Sequence, residues 1–587
     1  MHRPAVSAPT HETRQGARAD VRTPPSRERA LTLLGFGAAT LLVFWPALRG
    51  DFVWDDTITL RQNTAVRTGD FATLMTAPFF VAQIGFHRPV SSMLMSIAWQ
   101  VGGLTAVHAL ALVAHALTAC IVFQVAVSVL GTRSRAALAT LVFLWHPVQV
   151  ESVAWASAVC GPIAALFSLL SVRSILQWRD ANAPSSWPWR AAFFWIVALF
   201  TKESAAGALP ILFAVAAWTP GRTRVVHWWR LSVSMAASFT IWLVVRMAVL
   251  AAPFGDVTRA VGPWRHASAP AELLVRHLLL LVSPWPMTAF HPFAPDVGAA
   301  AASAWIAAAM ATLAAVVVLL RRARPVVRIG TVFVVAPVLP HVIDFRVAGL
   351  YPLAERYVYV ATVGVGLLLA APDWRRWRWM PWMLAIGLGA TSFAQTFVWR
   401  SQRSLVEHAI TCSANDPLLH AMRGDIDLQI AEGDGPDSGE ALVRARSEYA
   451  KALELAPAAT DPAKQRARAN ATLGSAWCEL LAQQGRGKFD GERLLTMFRA
   501  ALACDDTVPV AWVGVGVAEW IARGPAPAEV AFRRALTLDE RCAEAWYYLG
   551  KMQFDRGDRP GSRANLERAL ACNPDLLAAR DLLAQIR

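Results

Sequence analysis

The apolar run from Ala30 to Leu48 leads almost directly into Phe52-Val53-Trp54-Asp55-Asp56. The run is long enough to cross a bilayer as a helix. No small-residue cleavage site of the A-x-A type follows it, so it reads as a retained anchor rather than a removed leader. Two adjacent carboxylates then stand just outside a membrane, where charge is costly to place without a task. Upstream, residues 1–29 contain Pro, Arg and Ser without apolar periodicity and read as a disordered basic tail.

The rest of the chain extends this pattern. Its 587 residues are 55% hydrophobic and include 25 tryptophans, a residue that favours bilayer interfaces. The formal net charge of +14 does not form a nucleic-acid groove. It is distributed as arginine clusters between apolar runs: Arg133 and Arg135; Arg173, Arg179 and Arg190; Arg222, Arg224 and Arg230; Arg321, Arg322, Arg324 and Arg328; Arg375, Arg376 and Arg378. The positive-inside rule puts these with the basic tail on the cytoplasmic side and the alternate connections outside. Counting crossings this way predicts roughly eleven helices. The Pro-containing segment at 271–287 finds no charge-consistent partner and reads as re-entrant or interfacial. The odd count puts the C-terminus outside, and the Arg/Trp run from Trp374 to Trp379 reads as an interfacial anchor.

Past Trp399-Arg400 the apolar runs stop and a repeat begins. Ala511-Trp512 recurs as Ala545-Trp546, Gly516 as Gly550, Phe532 as Leu566 and Ala535 as Ala569, each 34 residues on. With Leu549-Gly550 and Pro574, the pattern resembles the tetratricopeptide repeat (TPR), whose small residues let two helices pack closely. An earlier unit carries Leu473-Gly474, Phe498 and Ala501 with an insertion near Gln484 to Gly491; another ends at Tyr449, Ala452 and Pro457. Three to four repeats are expected, predicting a binding surface rather than catalysis. Seven cysteines form no CxxC pair, so a zinc or iron–sulfur site is not indicated. Cys412, Cys478, Cys504, Cys542 and Cys572 lie in this region, where an extracytoplasmic setting would allow one or two disulfides.

Several short motifs in the first half occur together. Phe52-Val53-Trp54-Asp55-Asp56 is followed by Asn63 and Val66, His87-Arg88-Pro89, His108 and His115, and the stretch His146-Pro147-Val148-Gln149-Val150-Glu151 through Trp155. Lys202-Glu203-Ser204 with Pro210, and Ala354-Glu355-Arg356-Tyr357-Val358-Tyr359, complete the set. In order and spacing across about residues 30–410, with repeats behind them, these resemble the transmembrane-and-TPR O-mannosyltransferase-like proteins of the GT-C superfamily. The resemblance implies sugar transfer from a polyprenyl-phosphate donor, protein Ser/Thr hydroxyls as acceptors, an acidic first outer loop, and Asp55 as the base.

The residues themselves agree with that chemistry. Sugar transfer needs a base for the acceptor hydroxyl, and a partly desolvated carboxylate beside another acid is more basic. Asp56 would orient the acceptor, tune Asp55 or help hold a divalent metal; the bland alternative is that the pair caps a helix. His146 and Glu151 either contact sugar or complete a metal site, or else only start a helix. Lys202-Glu203 is either an internal ion pair or brings Lys202 to the donor phosphate. Arg356 is the best phosphate candidate, a guanidinium holding phosphate bidentately, against an Arg–Glu pair that fixes the last helices. Arg88 and Arg246 are weaker candidates, and His108 and His115 share a helix face as core histidines. One departure stands out: where the family carries Gly-Arg-x-Asp/Glu, this chain has Ala158, Val159, Cys160 and Gly161. The missing arginine and acid imply altered specificity or lost activity.

The expected fold is therefore all-α: tail 1–29, a GT-C-like membrane domain over 30–400, and an extracytoplasmic TPR α-solenoid over 401–587. The expected function is a membrane glycosyltransferase moving a mannose-like sugar onto protein, its repeats holding the acceptor or a partner protein. A catalytically degenerate membrane scaffold, and an enzyme acting on lipid or cell-envelope glycan, are the alternatives. Ala/Arg-rich usage and short loops point to a bacterial inner membrane; the resemblance also admits the endoplasmic reticulum.

Overall fold

The computed structural model describes residues 26–79, 85–180, 186–219, 227–250, 262–294, 297–343, 351–433, 435–457 and 462–586. Most of the basic tail, and Arg222 and Arg224, lie outside them. Every regular element among the described residues is helical.

In the first half, α1 (Ser26–Phe44) ends in a 3₁₀ turn, and the loop that follows carries α2 (Thr64–Thr68) and α3 (Phe71–Thr76). Asn63 caps α2 by accepting from the Val66 N–H, and Asp70 caps α3 by accepting from the Thr73 N–H. The next helix, α4 (Pro89–Leu130), is two helices joined at Gly102-Gly103. Gly103 has φ +61°, a left-handed conformation that a side chain resists, so the break falls where the sequence permits it. Then come α5 (Arg133–Trp145), α6 (Gln149–Ala154), α7 (Cys160–Asp180), α8 (Trp189–Thr201), α9 (Ala208–Trp218) and α10 (Trp228–Val249). The half is completed by α11 (Pro263–Leu280), α12 (Ala299–Arg322), α13 (Pro325–Val335), α14 (Leu339–Ile343), α15 (Ala361–Ala370) and α16 (Met380–Thr396).

Six helices among the described residues are long and apolar enough to cross a membrane, and three shorter apolar helices accompany them. The apolar surface of α12 is turned outward: only 6% of its most apolar window is buried, and Met310, Leu313, Val317 and Val318 are exposed. Much of the segment expected to be re-entrant or interfacial, 271–287, forms the end of α11. That helix starts at Pro263, runs through Pro270, and buries Leu273, Leu274 and Leu280 in a core shared with Val338, Val342 and Leu353. Its amphipathic face pairs with protein, a solution that charge counting does not anticipate.

The second half is a TPR-like solenoid. Behind α17 (Gln402–Cys412), which Ser401 caps with a capping box, stand four helix pairs. They are α18 (Pro417–Ala431) with α19 (Ser438–Leu455), α20 (Pro462–Gly485) with α21 (Gly491–Cys504), α22 (Pro509–Arg523) with α23 (Pro525–Leu538), and α24 (Ala543–Asp555) with α25 (Arg559–Cys572). A last helix, α26 (Leu577–Ala584), closes the stack. Gly474 shows why the repeat needs a glycine: a Cβ there would lie 2.1 Å from Cζ of Tyr449, whose ring fills the gap between neighbouring pairs. Trp477 against Phe498 and Phe532 against Tyr548 fill later gaps. All seven cysteines are free thiols, so no disulfide staples the array. Its continuous apolar core, shared between neighbouring pairs, provides the cohesion.

Candidate functional site

Asp55 and Asp56 are adjacent but serve different ends. Asp56 is fully buried, and its carboxylate accepts from the Val53 N–H at 3.1 Å, the Ser157 N–H at 2.8 Å and the Ser157 hydroxyl. It does not cap the π turn Thr57–Arg61 that follows, so the capping alternative fails. Its oxygens are spent tying the loop after α1 to the turn at 156–159. Burial pushes its pKa up to about 7 against the Ser157 hydroxyl and the Val53 and Ser157 N–H donors.

Asp55 is half-buried, and its carboxylate has no hydrogen bond or ion pair among the described residues. Burial raises its pKa, while the positive charges of Arg356 and Arg88 pull it down. The preceding Trp54 is the single non-glycine residue with positive φ (51°) among the described residues. That strained conformation is held by Trp54 stacking on Trp155 (centroids 5.2 Å, 11° apart), by Phe290 at 4.9 Å, and by the Trp54 N–H donating to Gln402 Oε1 at 2.7 Å. The backbone immediately before Asp55 is therefore firmly braced.

The cations are held by carboxylates from distant segments. Arg88 donates from Nε to Glu203 Oε2 at 2.9 Å and from Nη2 to Glu203 Oε1, and its guanidinium lies 4.4 Å from the Phe86 ring centroid. Arg356 donates from its backbone N–H to Glu151 Oε2 at 2.8 Å and from Nη1 to Glu151 Oε1. It also lies 5.5 Å from both the Trp54 and Trp155 centroids. Burial pushes Glu151 up to about 7 against the pull of Arg356. Glu355 accepts from His291 Nε2 at 2.9 Å and from the Thr288 N–H at 3.1 Å, and is held below the usual carboxylate range mainly by His291, against its burial. The Arg–Glu alternative for Arg356 is thus met, with Glu151 as the partner, whereas the internal Lys202–Glu203 pair is corrected: Glu203 holds Arg88, and Glu355 faces His291. Glu203 and Glu355 each lie in a tight 3₁₀ turn, 203–207 or 355–357, where successive side chains diverge.

Lys202 is left without an ion pair or hydrogen bond among the described residues, although the residue is only 6% exposed, and burial lowers its pKa. It lines a cavity of about 40 Å³ with Gly161, Ser168, Ser204, His341, Arg356, Tyr357 and Tyr359. Tyr357 presents its ring 5.8 Å from the ammonium. Beside it, the buried hydroxyl of Ser152 also lacks a partner. A Cβ at position 161 would stand 3.5 Å from Ser152 Oγ and 4.0 Å from Lys202 Nζ. An acid at Gly161 would thus stand within reach of Lys202. At the other expected position, Val159 is buried in the core.

His146 is not brought to the acids. It is buried with Nε2 3.1 Å from the Leu281 carbonyl and Nδ1 accepting from the Val148 N–H, which fits the helix-start reading. Among the described residues no three His, Cys, Asp or Glu side chains are grouped to hold a metal, and the Asp56 oxygens are already occupied, so no step is routed through one. His115 bridges Tyr359 and the Leu144 carbonyl inside the core, and His108 is likewise buried. Arg246, the other weaker phosphate candidate, donates to the Gly85 carbonyl. Ser157, Ser152, His291 and Trp54 were not foreseen as site residues. None is a charged residue inside an apolar run; the one available signal was the position of Ser157 beside the departure at Ala158–Gly161.

The fold and site define an all-helical protein in which a TPR-like array follows a half rich in apolar helices and buried charge. No family model matches the chain, and no curated protein does. Among solved structures, a chain of the APC/C hetero-tetramer Cut9-Hcn1 is similar at 12% identity over 94% of this chain and 98% of that one, with a TM-score of 0.25. At that score the likeness carries no argument, and the repeat assignment rests on the helix pairs themselves.

Proposed function

We propose that this chain is an integral-membrane GT-C-type glycosyltransferase that moves a mannose-like sugar from a polyprenyl-phosphate carrier to a Ser/Thr hydroxyl of an acceptor protein. The observation that carries the reading is the combination, among the described residues, of one unpaired carboxylate, Asp55, with three cations, of which Lys202 is also unpaired there. Asp55 would take the proton of the acceptor hydroxyl as its oxygen attacks the anomeric carbon. The bond from that carbon to the phosphate oxygen breaks with inversion. The electron pair leaves on the polyprenyl phosphate, whose charge Arg356 and Lys202 receive. Arg88, fixed by Glu203, supports the same field, and Glu151 and Glu355 hold the Arg356 turn in place.

The outward apolar surface of α12 supports a membrane setting, for which a bacterial inner membrane with the repeats outside is the preferred location. Eleven crossings would require the shorter helices α5, α8, α9, α15 and α16 to span beside the six long ones. The array would hold the acceptor or a partner protein. The competing reading, a membrane scaffold without catalysis, is favoured by the narrowness of the cavity, about 40 Å³. Purified chain and its Asp55→Asn variant, compared for transfer from polyprenyl-phosphate mannose to Ser/Thr peptides, test the proposal. Transfer by the parent alone supports it, and equal transfer by both overturns it. Transfer to lipid or glycan acceptors instead would keep the enzyme and change its substrate.

A further inference from the structure

The repeat array touches the loop after α1 at both of its ends. At the near end the Asp51 N–H donates to the Arg400 carbonyl at 2.8 Å and the Trp54 N–H to Gln402 Oε1 at 2.7 Å. At the far end the last helix pair returns to the same loop. Arg61 Nε donates to Asp575 Oδ2 at 2.6 Å, Arg541 Nη2 to the Gln62 carbonyl at 2.8 Å, and the Thr64 hydroxyl to the Ala571 carbonyl at 3.3 Å. Arg541 precedes α24, while Ala571 and Asp575 lie at the end of α25, so one edge of the last repeat makes all three contacts. The loop closes the array into a ring, as a string closes a bow.

The segment between these anchors carries Asp55 and is stiff. The Asp55 carbonyl accepts from the Ile58 N–H (3.1 Å), the Thr59 N–H (2.9 Å) and the Thr59 hydroxyl (2.9 Å). The Gln62 N–H donates to the Thr57 carbonyl at 2.8 Å, while the Gln62 carbonyl takes the hydrogen bond from Arg541. Asp55 and Gln62 are therefore opposite ends of one hydrogen-bonded turn, and a pull on Gln62 or Arg61 reaches Asp55 with little slack.

We propose that the last repeat is a clasp that positions the Asp55 loop, with Arg61, Arg541 and Asp575 as positioning residues, so that the curvature of the array sets the placement of Asp55. The proposal rests on the catalytic reading of Asp55 given above. The clasp is poised rather than locked: the Arg61 and Asp575 side chains are 42% and 47% exposed, and exposed ion pairs are weak and screened by salt. A polypeptide held along the concave face of the array would change its curvature and act on the base through these contacts.

Charge reversal tests it on the full-length protein in nanodiscs, comparing Arg61→Glu, Asp575→Arg and the double variant that restores the pair with opposite polarity. Amide exchange over residues 57–64 should quicken in each single variant and return to the parent value in the double. With polyprenyl-phosphate mannose as donor, kcat should fall by about tenfold in each single variant, as for a misplaced base, with donor KM unchanged and kcat recovered in the double. Unchanged exchange in the single variants overturns the clasp. Altered exchange with unchanged kcat, or with no recovery in the double variant, overturns its positioning role. Absence of transfer by the parent protein would count against the catalytic reading and with it the coupling, while the exchange data would still decide whether the clasp exists.

Discussion

Replacing Gly161 by Asp should make the protein more stable and a poorer binder of lipid phosphate. A Cβ at this position would be in ordinary contact, 3.5 Å from Ser152 Oγ and 4.0 Å from Lys202 Nζ, so a carboxylate carried on it comes within ion-pair reach of Lys202, about 4 Å. Its carboxylate would meet a buried ammonium and a buried hydroxyl that now lack partners. Two unit charges at that separation attract by about 4 kcal/mol at an effective dielectric constant near 20. Desolvating the new carboxylate offsets part of this, leaving a net gain of about 1–3 kcal/mol. The same pairing withdraws Lys202 from an incoming phosphate. Loss of one charge-assisted hydrogen bond costs about 1.5–3 kcal/mol, or roughly 10- to 150-fold in affinity. Titration of the detergent-solubilised protein with a polyprenyl phosphate, alongside thermal unfolding, reads both quantities. Gly161→Asn is the control, matching shape without charge. If Gly161→Asp and Gly161→Asn bind the lipid phosphate equally, Lys202 is not its partner and the assignment fails.

Further expectations follow from the divided roles of the two aspartates and from the repeat packing. The transfer rate should rise with pH as Asp55 loses its proton, through a midpoint above the ordinary carboxylate range because burial raises its pKa; Asp55→Asn should remove that limb and lower the rate by about 10²- to 10⁴-fold. Arg356→Gln should move the limb to higher pH, since it deletes a charge that favours ionised Asp55; a pH–rate profile checks both. Asp56→Ala should cost about 2–5 kcal/mol by stranding its buried donors. Because Asp56 binds its proton more tightly folded than unfolded, its contribution to stability should fall as pH rises from about 4 to about 7, and melting curves of Asp56→Ala should lack that component. Gly474→Ala should destabilise the array by about 1–3 kcal/mol, read as faster amide exchange in α18 to α21, because its methyl group would enter the Tyr449 ring.

The repeats were legible because close helix packing imposes small residues such as Gly516 and Gly550 opposite large ones such as Phe532 and Leu566 at a fixed interval. The charged residues of the site were legible as individuals, since each interrupts an apolar context. Their pairing was not. Arg356 finds Glu151 and Arg88 finds Glu203, partners separated by 205 and 115 residues, whereas the sequence neighbours Glu355 and Lys202 face other groups. No local rule predicts which of two adjacent side chains in a 3₁₀ turn meets an arginine from another helix. The different surroundings of Asp55 and Asp56 were hidden for the same reason: those of Asp56 depend on Ser157, a neutral residue 101 positions away. The long α4 pattern concealed its break, because Gly102-Gly103 in an apolar run also suits close helix packing.

Charge balance also separates the enzyme from a relic with the same fold. Glu151 and Glu203 compensate Arg356 and Arg88, which leaves Asp55 and Lys202 without direct partners among the described residues. A buried ammonium without a partner is expensive, and a hydrophobic residue of similar length is the better structural choice. Lys202→Met should therefore stabilise the chain under either reading, by about 1–4 kcal/mol. The two differ in what else changes. If Lys202 serves a bound phosphate, the stabilised variant loses affinity for polyprenyl phosphate by as much as Gly161→Asp does, and adding Gly161→Asp to it costs little more, since both remove one interaction. If the cavity is a remnant, stability rises and lipid-phosphate affinity stays at the parent value. Stability gained without function lost would refute the catalytic reading of Lys202, whereas both together would mark the unpaired lysine as a functional cost retained in the fold.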